Sequence, residues 1–173
     1  MYGIHRERLR DPCVRYRSEH RIWSTGVQPM TSDSIRQRVF RRMLAREAGT
    51  GADAPAIAAA ARRLCEFFAE QLTPLIGDAG VAAICARSLH LTERNVPGLA
   101  SVRASAQGES PFALLQLSLE QQEPAAATEA AVAVLATASD LLASFIGESL
   151  TASLLREAWP NDFAGDTTEE IIT

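Results

Sequence analysis

Residues 53–78 read DAPAIAAAARRLCEFFAEQLTPLIGD, and the recurrence of apolar side chains in this stretch decides the fold. Projected at 100° per residue, Ile57, Leu64, Phe67, Phe68, Leu72 and Leu75 share one stripe. Arg62, Glu66 and Glu70 fall on the opposite stripe, at the i, i+4 spacing that suits a solvated helix face. Asp53 is placed to cap the helix. Pro55 fits its first turn, where a missing N–H costs nothing. Pro74 is expected to kink or weaken the last turn, and Gly77 to end the helix.

The same reading extends outward in both directions. Asp78 can cap a following helix to about Leu91, with Val81, Ile84, Cys85, Ser88 and Leu89 on one side. Thr92 to Glu109 reads as a loop, and Ser110-Pro111 opens a short helix over Phe112–Gln121. Pro124 opens a long Ala-rich helix to about Ile146, followed by Gly147 and a last helix from Glu148 to Trp159 that Pro160 stops. Upstream, Ser34 to Ala48 is amphipathic, with Ile35, Val39, Phe40, Met43 and Leu44 on one half and Arg38, Arg41 and Arg42 on the other. The expectation is an all-α, single-domain bundle of five or six helices over residues 30–160. The helices 54–76 and 125–146 form its centre.

Residues 1–29 show no hydrophobic period and read as a disordered basic arm or an upstream extension, with Met30 as the natural start. Residues 161–173 read as a flexible acidic tail. A weak repeat runs through the body at an offset of 70 residues: Leu72 to Arg87 aligns with Leu142 to Glu157, and Ile76-Gly77-Asp78 with Ile146-Gly147-Glu148. Two helix–Gly–helix units related by a pseudo-two-fold axis, or chance likeness of two Gly-broken helices, both fit.

Composition excludes much. The chain has 173 residues, 47% of them hydrophobic and only 6% aromatic, which favours helix over sheet. All 17 basic residues are arginines, a usage that fits a GC-rich, bacterial source. Without lysine there is no Schiff base, no pyridoxal phosphate attachment and no phosphate-binding P-loop. The net charge of −4 divides sharply: residues 1–46 carry eleven arginines against four acids, and residues 47–173 six against seventeen. The longest apolar stretch, Ala130 to Gly147, contains Asp140, which costs about 3 kcal/mol at the centre of a membrane helix. No membrane span is expected, and the cytoplasm is the default location.

The candidate chemical groups are few. Cys65 and Cys85 project toward apolar helix faces and read as small core hydrophobes, with metal binding as the alternative. His90 falls on the surface near a helix end, with Glu93 as its one visible partner. Trp159 reads as a packing anchor. Asp140 shares a smooth stripe with Glu129, Ala133, Thr137 and Ser144, read as solvated or, alternatively, as a contact face for a partner or a second copy. The basic residues Arg38, Arg41 and Arg42 face either the acidic body or an external partner. No Glu-x-x-His pair, His-Glu-x-x-His, Gly-x-Ser-x-Gly or dinucleotide glycine run is present, so neither an enzyme nor a bound cofactor is expected.

Three functional readings stand. The first is a non-enzymatic protein-interaction or regulatory module, with a protein partner or a homodimer. The second is a ligand-sensing bundle holding a small apolar molecule or haem, which predicts an internal cavity lined by Phe67, Phe68 and Phe145. The third, and the least favoured of these binding readings, is nucleic-acid binding through the basic helix 34–48.

Overall fold

The computed structural model describes residues 32–94, 96 and 110–163, with side chains from Ile35 onward. The basic arm, the Met30 start, Cys13, most of the 92–109 loop and the tail beyond Phe163 lie outside the described residues. Among those described there are six helices and no strand: α1 (Ser32–Ala48), α2 (Ala54–Thr92), α3 (Pro111–Glu120), α4 (Pro124–Ile146), α5 (Glu148–Ala158) and α6 (Pro160–Phe163). The chain is an all-α bundle. The long helices α2 and α4 pack on each other, α3 lies on α2, α1 covers α4 and α2, and α5 and α6 close the end nearest α1.

Helix starts follow the expected chemistry. The Asp53 carboxylate accepts a hydrogen bond from the Ala56 N–H at 3.0 Å, and the Ser110 hydroxyl accepts from the Ala113 N–H at 3.2 Å. A proline stands in the first turn of α2, α3 and α4.

Helix α2 is one element by its hydrogen bonds but two limbs by its direction. It keeps helical angles through Pro74 and leaves them at Gly77, where φ is 72° and ψ 165°. Cys65 and Cys85 line one small space, and Ala69 and Thr73 line an open cleft with Asp78, Val81 and Ala82. In a straight helix, residues 65 and 85 would stand about 30 Å apart. The second limb therefore folds back along the first, and α2 is a helical hairpin with Gly77 at its turn. Gly147, between α4 and α5, has φ 90° and ψ 153°, nearly the same conformation. That region is open essentially to glycine alone. The likeness of the two Ile-Gly-acid segments is shown at this joint; a pseudo-two-fold relation between the halves is not.

Burial corrects three expected positions, two on the stripe of α2 and one in the expected internal cavity. Ile57, Leu64, Phe68 and Leu72 are buried, but Leu75 is 53% exposed, Phe67 is partly exposed and Phe145 is 74% exposed. Leu75 and Phe145 sit in the last turn before each glycine joint, where the chain turns away and no further element covers them. Phe67 is rotated about 100° from Phe68 and reaches only the edge of the core. The chain end is also corrected. Beyond Pro160 the backbone makes another helical turn, α6, in which Asp162 is buried and Phe163 packs on Phe40 with ring centroids 6.0 Å apart.

By length and composition, α2 and α4 are both apolar enough to cross a membrane. In this fold they are the two central helices, and half of the most apolar window of α4 is buried inside the bundle.

Candidate functional site

Helix α1 carries five of the eleven arginines of residues 1–46. Its buried positions are Arg36, Val39, Phe40, Met43 and Leu44, an i, i+3, i+4, i+7, i+8 series. Arg36 thus occupies the first place of an otherwise apolar stripe. Its guanidinium donates to Asp140 at 2.6 Å and to Glu148 at 2.5 Å. Burial works against this charge more than any other single influence, but the two carboxylates together outweigh it and hold Arg36 above its ordinary range. Further along, Arg41 makes a two-pronged contact with Glu129, at 3.0 and 2.7 Å, and Arg42 donates to the Asp162 carbonyl at 2.8 Å. Arg46 holds the buried Asp162 carboxylate through two bonds of 2.7 and 2.8 Å. Arg38 is exposed.

The stripe on α4 is therefore no bare face. Glu129 and Asp140 are both held by α1, and Ala133 and Thr137 between them are partly buried. Ser144, one turn beyond Asp140, is exposed, and its hydroxyl donates to the Asp140 carbonyl at 2.9 Å. Asp140 keeps the partial exposure expected of a solvated face, and it also holds Arg36. The sequence signal for its partner was the position of Arg36, three and four residues ahead of Val39 and Phe40.

The thiols offer little chemistry. Cys65 is buried, and burial first, then the neighbouring Cys85 and Glu66, push its pKa up. Cys85 is half-buried, and burial pushes it up to about 11. The space they share holds only about 20 Å³, on the order of one water. Among the described residues, no three His, Cys, Asp or Glu side chains converge as a metal site would require. His90 is exposed, with Nδ1 3.5 Å from the Glu93 carboxylate. The buried hydroxyls of Ser88, Thr92 and Ser139 donate back to carbonyls one turn earlier in their own helices.

Among the described residues, Phe67, Phe68 and Phe145 do not converge on one internal cavity, since Phe67 and Phe145 are exposed. Trp159 fills the place where Phe67 and Phe68 meet: its ring stacks on Phe68 at 5.9 Å, lies 5.3 Å from Phe67 and meets Phe40 edge-on at 6.4 Å. Trp159 is the packing anchor, and Phe145 belongs elsewhere.

Phe145 lines an open groove of about 590 Å³. One wall is the second limb of α2, through Gly80, Ala83, Ile84 and Arg87, with Ile76 at the end of the first limb. The other is the end of α4, through Leu141 and Phe145. Both walls come from the segments flanking the glycine joints. The limb presents Gly80, Ala83 and Arg87 at helical spacing, so its middle carries little side chain and leaves an open floor. The groove's size is that of small-molecule sites, roughly 300–1,000 Å³. Sequence reasoning missed it. The available signal was the run Gly80, Ala83, Arg87, which breaks the apolar pattern on one side of the second limb.

Comparison of the chain with family models, with curated proteins and with solved structures gave no match.

Proposed function

We propose that this domain is a non-enzymatic, cytoplasmic binding module of regulatory type, and that the groove between the second limb of α2 and the end of α4 is its working surface. The observation that carries this reading is Phe145, a large aromatic side chain left 74% exposed on the wall of an apolar groove of about 590 Å³. Burying such a ring contributes about 1.5–3 kcal/mol, and the isolated fold forgoes most of it. An exposed apolar concavity, away from the cluster that Trp159 fills, marks a place for something else to bind. The basic helix α1 is a poorer candidate, because Arg36, Arg41, Arg42 and Arg46 already hold the body.

The test uses 1-anilinonaphthalene-8-sulfonate on the folded chain. One dye per chain should bind with enhanced fluorescence. Ala83→Trp, which fills the floor, and Phe145→Ser, which removes a wall, should both abolish the signal without lowering the melting temperature. Dye binding that is absent from the wild type, or unchanged in both variants, would remove the groove from consideration.

A further inference from the structure

One lining residue of the groove is charged. Arg36, Arg41, Arg46, Arg62 and Arg63 each hold a carboxylate at 2.5 to 2.7 Å. Among the described residues Arg87 holds none, although the body it stands on is acidic. Arg87 is exposed and stands on the wall that also carries Ile84, across from Leu141 and Phe145. A guanidinium presents a planar fork of N–H donors that matches a carboxylate in two-pronged fashion. From Gly80 to Arg87 the floor runs about 10 Å along the helix at 1.5 Å per residue. A short apolar chain fits that length.

We infer that the groove takes a small amphipathic carboxylate, its apolar body between Ile84, Leu141 and Phe145 and its head group on Arg87. This rests on the groove being the working surface. Volume favours a small molecule, since about 590 Å³ lies within the range of such sites. Charge favours an anion, since the lining contains a cation and no acid. The carboxylate supplies the partner that Arg87 lacks among the described residues. The apolar body covers Phe145.

The experiment titrates the full chain by calorimetry with octanoate and, in parallel, with 1-octanol. Octanoate should bind once per chain, and about tenfold more tightly than 1-octanol. Arg87→Gln should erase that difference, and Phe145→Ser should weaken both ligands. Equal binding of acid and alcohol, or an unchanged octanoate affinity in Arg87→Gln, overturns the head-group assignment while leaving the groove in place. Dye binding without binding of either ligand also overturns it and leaves the groove. Loss of dye and ligands together removes both. A dimer in sedimentation that Phe145→Ser dissolves and octanoate does not compete with assigns the groove to a second copy instead.

Discussion

Arg36 of α1 donates to Asp140 on α4 and to Glu148 on α5, and so spans the joint at Gly147 with a single buried side chain. The two ends of this contact differ in their access to water. The Arg36 side chain is 9% exposed, whereas those of Asp140 and Glu148 are 42% and 53% exposed. The joint is thus closed by a buried cation reaching out to two carboxylates that water also reaches.

That asymmetry sets an order of costs. Replacing both carboxylates, Asp140→Ala with Glu148→Ala, strips the anions from a buried guanidinium and should destabilise the fold by about 2–4 kcal/mol. Arg36→Met keeps the apolar stem and frees two carboxylates that can rehydrate, so its cost should be about 1 kcal/mol. Urea unfolding of the three proteins measures both. If Arg36→Met proves the costlier change, the buried end of the contact is not where its energy lies.

The helical plan was legible because it depends on local chemistry. The Asp53 and Ser110 caps, the first-turn prolines and the glycine joints each act within a few residues, and each stands where the sequence places it. What depended on packing was less legible. Arg36 reads as one more basic residue until its two acceptors, 104 and 112 residues away, are brought beside it. Phe145 reads as core because its wheel position matches Leu141 and Leu142, and a wheel cannot show that a helix outruns the elements covering it. The groove was least legible, since its walls come from two segments about 60 residues apart and its floor is defined by side chains that Gly80 and Ala83 lack.

The two joints can be compared directly by substitution. Gly77→Ala and Gly147→Ala should each cost about 1–3 kcal/mol through backbone strain alone, because a Cβ at either position meets nothing within 4 Å. Gly80→Ala is the control. It lies within the second limb without a positive φ, where alanine is favoured by about 0.5–1 kcal/mol, and that gain is offset by a tight contact of its Cβ with the Ile76 Cβ at 3.1 Å. Thermal melts should place Gly80→Ala close to the wild type and the other two well below it. Comparable losses for all three would mean that the joint conformation carries no special strain.

The contact between α1 and α4 should be visible in acid. Hydrogen bonding to Arg41 holds Glu129 below its ordinary value of 4.5, against a smaller opposing effect of burial. A depressed folded-state pKa means that the stabilisation is fully present above 4.5 and is lost as pH falls through the lowered folded value. Because both side chains are well exposed, the contribution should stay below about 1 kcal/mol and shrink in high salt. Glu129→Gln should flatten the part of the stability–pH curve that lies below 4.5. A slope identical in the variant and the wild type would show that the Arg41 contact is energetically silent.

The thiols should answer to base in the opposite sense. A folded-state pKa raised from 9.0 to about 11 at Cys85 means the fold binds its proton more tightly than the unfolded chain does. The stability this gives is complete below pH 9 and is lost as pH rises from there toward 11. Two units also mean about a hundredfold less thiolate at neutral pH. In a Cys13→Ser background, Cys85 should therefore react with a thiol reagent about a hundredfold more slowly in the folded protein than in urea, with a rate still climbing near pH 10. Cys65 is buried outright and should react only after the hairpin opens, so its rate should follow denaturant concentration while that of Cys85 follows pH. Mass mapping of the modified cysteine against time separates the two. Simultaneous modification of both, with one shared dependence on denaturant, would mean that the hairpin limbs part before either thiol is reached.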